Sequence, residues 1–418
     1  MTINNEHKKL NVPNLRFPEF QGEWEESTIG EMFDLYSGNT PSRLNKEHFK
    51  GTVNWISSGE LKEHYIYSSK EQISEEAAKS LKLLPVGTFV IAIYGLEAEG
   101  VRGTGSITQE PSTISQACMS FISKGVIENE FLYSWYKKHG NVIGIRYAQG
   151  TKQQNLSYDI LEKFRIAYPN TKEQEKLNKF ISLLDERIAT QSKIIEDLKK
   201  LKSAIIEKVF CSPNKRNPMC RIEGFEQALS TYKMCDFSSR IATKNKDSKC
   251  SLVLTIAAQY GLVNQESFFN KSVASENLTG YYLLHKGEFA YNRSYSAGYD
   301  WGAVKRLDNY DEGVLSTLYI CFKINETIVD SDYLTYYFES TKWHRGLSDI
   351  AGEGARNHGL LNVSITDYFN TKHRFPVIEE QKAIAKMLNT ITEKERKATL
   401  LGECYQKQKQ YLLRQMFI

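Results

Sequence analysis

The side chains best suited to chemistry are grouped in glycine-rich and amide-rich stretches, not in catalytic pairs. Tyr94 to Ser106, YGLEAEGVRGTGS, carries Tyr94 and Arg102 among Gly95, Gly100, Gly103 and Gly105. Such dense glycine permits backbone conformations closed to other residues and lets a ligand approach closely. Gly150 to Ser157, GTKQQNLS, offers Lys152, Gln153, Gln154 and Asn155. A second set comprises Arg293, Tyr295, Lys305 and Arg306 within Asn292 to Arg306 (NRSYSAGYDWGAVKR), and Arg356, Asn357 and His358 within Gly354 to Leu360 (GARNHGL). Arg pairs bidentately with guanine and Asn or Gln with adenine, while Lys and Arg neutralise phosphates. Any one of these residues alone would pass for a solvated surface group. Two sets at corresponding places in a repeat point to nucleic acid.

Signatures of other chemistry are missing. There is no G-x-x-x-x-G-K-[ST] phosphate loop, no H-E-x-x-H, no G-x-S-x-G, and no Asn/Asp-Pro-Pro-aromatic tetrapeptide of the amino-methyltransferases. Gly103-x-Gly105 lacks the third glycine and the strand-to-helix setting of a dinucleotide loop. Asp185-Glu186 reads as a solvated helix face. The cysteines include no C-x-x-C pair and no histidine at zinc-ligand spacing, so reduced structural thiols are expected. No catalytic residue, metal or cofactor is expected.

What must position these loops is a repeat. Lys172 to Phe210 lies without a gap on Glu379 to Phe417 when 207 is added to each number, Pro169 falling on Pro376 and Gln174 on Gln381. In the first copy, Leu177, Ile181, Leu184, Ile188, Gln191, Ile195, Leu198, Lys202 and Ile205 alternate at spacings of four and three. That period predicts a coiled-coil seam over a helix of roughly 55 Å, which needs a partner to cover its stripe. Its copy is the obvious partner, with Leu177, Ile181, Leu184, Ile188 and Leu198 set against Ile384, Leu388, Ile391, Tyr405 and Leu412. Glu395, Gly402 and Lys409 fit the second seam poorly. Gly402 costs about 1 kcal/mol relative to Ala in mid-helix and predicts a register slip or bend there.

The chain thus reads as module (1–170), helix (171–212), module (213–376), helix (377–418). Its 418 residues exceed one ordinary core. Lys plus Arg outnumber Asp plus Glu by 54 to 50, a formal +4, which excludes a polycation but leaves room for local basic patches. No leader-like apolar segment and no long apolar run occurs, so a cytoplasmic protein without a membrane partner is expected. In the first module Val53 to Ile56, Thr88 to Tyr94 and Ile114 to Ile122 read as strands, and Glu75 to Leu84 and Phe131 to Lys138 as helices. The second replays it: Met32 to Leu35 is echoed by Met234 to Phe237, Leu83-Leu84-x-x-Gly87-x-Phe89 by Leu283-Leu284-x-x-Gly287-x-Phe289, and Phe131-Leu132-Tyr133 by Tyr333-Leu334-Thr335. The framework repeats while the loops differ, which suggests two sites of one kind reading different things.

At this point the chain resembles the specificity subunit of type I restriction-modification enzymes. The resemblance rests on LRFPEF and GEW (Leu15 to Trp24), YPNTKEQEKL (Tyr168 to Leu177), its copy FPVIEEQKAI (Phe375 to Ile384), and GTKQQNLS with its counterpart GARNHGLLNVS. It covers essentially the whole length; only Arg221 to Ser230, RIEGFEQALS, is a loose copy of Leu15 to Trp24. The resemblance implies an α+β fold of two target recognition domains, related by a pseudo-two-fold repeat and joined by two antiparallel helices. It implies a non-catalytic subunit whose domains each read one half of a split double-stranded DNA target. Two methyltransferase subunits, and through them restriction/motor subunits, would be its partners. The rival reading is a coiled-coil scaffold that bridges proteins without reading DNA.

Overall fold

The computed structural model describes residues 10–97, 100–150, 154–271, 274–275, 277–294, 298–350 and 361–418. Two compact units result: Met1–Ser192 with Leu400–Ile418, and Lys193–Thr399. The division falls inside the two long helices, so each unit takes one module and one part of each helix.

Both helices are as long as the periodicity predicts. The central helix spans Thr171–Val209 and the C-terminal helix Ile378–Met416, 39 residues each. Every residue of the first seam is buried or half-buried. Within the first unit Asp185 pairs with Lys409, and the Arg187 guanidinium donates to the Tyr405 hydroxyl at 2.7 Å, so the two segments run antiparallel. Within the second, Lys202 pairs with Glu395 at 2.5 Å, and Ile206 and Phe210 share a core with Ile384 and Leu388, again antiparallel. Three sequence-based expectations change here. Glu395 and Lys409 belong to the seam because each meets an opposite charge across it. Asp185 is not a solvated face residue but half-buried beside Lys409 and His64. The C-terminal helix runs unbroken through Gly402, and Ala398, Gly402, Tyr405 and Lys409 keep the four-three alternation without exposure.

The E-Q pair that opens each helix has a physical task. Glu173 and Glu380 are each about 1% exposed, and so are Gln174 and Gln381. Glu173 accepts two hydrogen bonds from Arg16, at 2.8 and 2.7 Å, and Glu380 two from Arg221, at 2.9 and 2.7 Å. The same arginines reach the carbonyl six residues on, Arg16 to Gly22 and Arg221 to Gln227. Gln174 donates to the carbonyls of Pro169 and Val126 and accepts from the Glu128 N–H; Gln381 does the same with Pro376, Ile328 and Asp330. A buried carboxylate is tolerable only when paired this way, and a buried amide only when bonded at both ends. Arg221 to Ser230 therefore repeats the arginine contact of the first lead-in despite its loose sequence, without a counterpart of the bond from Trp24 Nε1 to Glu173.

Each lead-in forms an antiparallel ribbon with the strand before its helix: Glu25–Thr28 with Arg165–Tyr168, and Ser230–Lys233 with Lys372–Phe375. Single helical turns follow, Ile29–Met32 and Met234–Phe237. Ile29 N donates to Phe164 O and Met234 N to Thr371 O, so Ile29 corresponds to Met234. The echo read from Met32 to Leu35 is thus displaced by three residues, because Met-x-Asp recurs by coincidence.

The first unit has a five-stranded sheet in the order Phe33–Ser37, Cys118–Ser123, Phe89–Ala92, Gly105–Thr108, Tyr65–Ile66, and a three-stranded one through Val53–Ile56. The second has a four-stranded sheet in the order Ser238–Arg240, Ile320–Ile324, Phe289–Asn292, Ala303–Arg306, a hairpin pairing Leu254–Ala257 with Gly261–Asn264, and a two-stranded sheet pairing Tyr282–His285 with Glu312–Leu315. The Leu83 and Leu283 echoes hold: Gly87 and Gly287 sit at φ of 83° and 87°, a turn glycine enters without strain. Ile114 to Ile122 splits into Ser112–Ile114 and Cys118–Ser123. The expected Glu75 to Leu84 helix stops at Lys79, since Ser80 caps Ala77 O and Leu84 is drawn into a bridge with Ser112. The Phe131 to Lys138 helix instead extends over Asn129–Tyr147.

Candidate nucleic-acid interface

In the first unit, Phe89–Ala92 and Gly105–Thr108 pair antiparallel, so residues 93–104 connect two neighbouring strands. The second polar stretch closes on this connection. Leu96 N donates to Gln154 O at 3.1 Å, Leu156 N to Ile93 O at 2.9 Å, and Gln154 N to the Glu97 carboxylate at 2.8 Å. Gln149 and Asn155 exchange backbone hydrogen bonds at 2.8 and 2.9 Å. Bonds from the Gln154 and Glu97 backbone hold the Glu97 carboxyl below its ordinary value. Two stretches separated by some fifty residues therefore form one surface, and on it the Arg102 guanidinium donates to Gln154 Oε1 at 3.2 Å. Tyr94 is half-buried against the core below.

The second unit builds the same connection from Phe289–Asn292 and Ala303–Arg306. Leu361 N donates to Arg293 O at 2.9 Å, which makes Leu361, and not Leu360, the counterpart of Leu156. Its cations are engaged differently. Arg293 donates to Leu318 O at 3.0 and 3.2 Å and to Val363 O at 3.2 Å, a staple between loops. Lys305 pairs with Glu339 and lies 5.5 Å from the Tyr299 ring. Arg306 pairs with Asp308 at 2.6 Å and Asp332 at 2.7 Å and donates to Ser331 at 2.8 Å. Lys305 and Arg306 border a cavity of about 420 Å³ with Lys202, Tyr336 and Asn389. Lys152, Gln153, Tyr295, Arg356, Asn357 and His358 lie outside the described residues.

Of the residues expected to read DNA, the structure brings Tyr94, Arg102, Gln154 and Asn155 into one region, and binds Arg293, Lys305 and Arg306 into the second module's own framework. Glu97, Asp332 and Glu339 organise these cations and carry no sequence signal beyond lying near them. Among the described residues no group of three or more His, Cys, Asp or Glu could hold a metal ion, and no helix is long and apolar enough to cross a membrane.

A duplicated α+β module on paired long helices, with polar loops at the same place in each sheet, defines a two-module recognition scaffold. Residues 21–200 match the family model described as the type I restriction modification DNA specificity domain. Over this part the chain is similar to the specificity subunits of type I restriction-modification enzymes. It is 29% identical over 185 residues to the specificity subunit of type I restriction enzyme MjaIX of Methanocaldococcus jannaschii, covering 43% of this chain and 42% of that protein. It is 30% identical over 189 residues to the EcoR124I/EcoR124II specificity subunit of Escherichia coli, covering 44% and 45%. The chain thus spans less than half the length of these two relatives. The MjaVIII specificity subunit of M. jannaschii is 23% identical over 403 residues, 90% of this chain and 87% of that one. The fold matches the crystal structure of the type I restriction-modification S subunit from M. genitalium, with a TM-score of 0.55 at 16% identity over 97% of this chain and 99% of that one. A second match is a chain from a structure on complex assembly and conformational transition of the type I system, with a TM-score of 0.56 at 13% identity over 93% and 96%.

Proposed function

We propose that this chain is the non-catalytic DNA-addressing subunit of a type I restriction-modification complex in the cytoplasm. Each module reads one half of a bipartite, asymmetric double-stranded target. The observation that carries this reading is the strand connection repeated in both sheets, backed each time by a second polar stretch, with unlike residues on a like frame. Phosphate contacts supply affinity and register, and side chains at base edges supply sequence. The long helices set the spacer between half-sites. Two methyltransferase subunits dock on the chain, with restriction/motor subunits joining through them, and the methyltransferases flip and modify the addressed base.

Exchanging residues 1–168 for the first module of another family member tests the proposal by sequencing of methylated DNA. One half-site is expected to change, and altered reading of both halves would overturn it. Inserting four residues into both helices, near Gln191 and Ala398, lengthens each by roughly 6 Å, close to the rise of two base pairs. The spacer is expected to change with the half-sites kept; an unaltered spacer would remove the ruler role. A chain that only bridged proteins would show no sequence-dependent DNA binding in a salt titration of the complex.

A further inference from the structure

Among the described residues, Arg102 differs from the other candidate cations, Arg293, Lys305 and Arg306, in how it is held. Its stem lies on the helix Asn129–Tyr147 at a position open only because residue 144 is glycine: a Cβ there would stand 2.5 Å from Arg102 Cγ and 3.0 Å from Cδ. The next residue of the loop, Gly103, has φ of +72°, and a Cβ on Gly140 would meet its Cα at 3.0 Å. Thr104 N and Oγ1 both donate to Val101 O, at 3.2 and 2.7 Å, closing a turn around the arginine. From the other side Gln154, fixed through its own N–H and carbonyl, accepts from Arg102 Nη2. Among the described residues no carboxylate lies within ion-pair distance of this guanidinium, Glu97 acting on it only from further off, and Arg102 Nε is buried without a partner, which leaves the two terminal nitrogens as the fork. Lys305 and Arg306, by contrast, are neutralised by Glu339, Asp308 and Asp332.

We propose that Arg102 reads a guanine in the half-site of the first module, and that Gly144 and Gln154 are positioning residues that hold its guanidinium in a preset orientation. The proposal rests on the DNA-addressing role argued above. An arginine with its stem immobilised and its donors unneutralised loses little rotamer freedom on binding, and the planar fork matches guanine O6 and N7. The same arginine bound to a phosphate would gain little from such precise placement.

The test uses the full chain assembled with its methyltransferase subunits, selecting from duplexes randomised over both half-sites. Arg102→Lys keeps the charge and loses the fork; Gly144→Ala favours the helix while pressing a methyl group on the arginine stem; Gln154→Leu removes the acceptor. Arg102→Lys is expected to lower the preference for guanine at one position of the first half-site by roughly ten- to a hundredfold. Gly144→Ala and Gln154→Leu are expected to lower it several-fold at that same position. Intact reading of the second half-site by the same preparations certifies folding. No change in base preference with Arg102→Lys, or a uniform loss across sequences with a shallower salt dependence, overturns the assignment. Effects of Gly144→Ala and Gln154→Leu at a different position overturn the positioning roles. A wild-type complex that selects no bipartite motif would instead defeat the functional reading beneath it.

Discussion

In the first unit the acidic residue near the start of the helix Asn129–Tyr147, Glu130, bonds His64 at 2.8 Å; its counterpart in the second, Asp332, bonds Arg306 at 2.7 Å. Lys202 and Lys409 also occupy equivalent helix positions, yet Lys202 meets Glu395 and Lys409 meets Asp185, carboxylates that are not equivalent. Placing the acid at Asp185 brings it within 3.7 Å of His64, which is stacked between Tyr65 and Tyr133 with ring centroids 4.0 Å away on each side. The scaffold contact is thus duplicated while its chemistry is not. One unit joins its sheet to its helices through an imidazole whose charge depends on pH, the other through a permanent cation.

The helix junctions differ far less, and they give the largest expected effect. Arg16→Ala and Arg221→Ala each leave a buried carboxylate unpaired and should destabilise their own unit by roughly 3 kcal/mol or more. Hydrogen exchange of the two lead-in ribbons reads this unit by unit. Arg16→Ala should cost more, because its side chain is 12% exposed against 20% for Arg221. An equal response in both units from either variant would break the comparison. Gln174→Leu and Gln381→Leu should each cost about 2 kcal/mol by orphaning an N–H and two carbonyls. Here the two units should respond alike in urea unfolding, since their bond sets correspond one to one.

The pH dependence should be smaller and confined to the first unit. Burial opposes the charged form of His64, but the carboxylates of Asp185 and Glu130 outweigh it and raise its pKa above the ordinary 6.5. Its stabilising contribution is therefore complete below about pH 6.5 and is lost as pH rises through the elevated folded-state value. Exchange protection of the helix Asn129–Tyr147 should fall over that window, His64→Gln should abolish the dependence, and the segment Ser331–Tyr337 should show none. A shared pH response would mean that another group controls it.

The smallest expected effect concerns chain connection. Leu15 N donates to Gln415 O at 3.0 Å in the first unit, and Cys220 N to Lys208 O at 3.0 Å in the second. One bond joins opposite ends of the sequence and its equivalent spans the short segment 209–219. Opening the chain between Arg216 and Asn217 while linking Ile418 to residue 10 should leave thermal stability and the recognised sequence unchanged. A lost half-site would show that continuity at 209–219 matters in its own right.

Much of this was legible in the chain. The 207-residue repeat, the four-three seam and the E-Q junction are local or periodic patterns, and the helices follow them within two residues. The sequence pattern shows only the first half of the helix Asn129–Tyr147, because its second half is punctuated by Gly140 and Gly144, which weaken a helical pattern; the structure places them where the Arg102 loop packs. Glu395 and Lys409 looked like seam defects because one strand of sequence shows charges but not what faces them.

Sequence alone determined that there are two modules and two long helices, since periodicity and repetition are properties of order along the chain. Tertiary structure decided which cations keep free donors. Arg102, Arg293, Lys305 and Arg306 are alike as residues in loops, and only the groups that folding brings beside them separate them: Gly144 and Gln154 beside the first, carbonyl oxygens around Arg293, and carboxylates that neutralise Lys305 and Arg306.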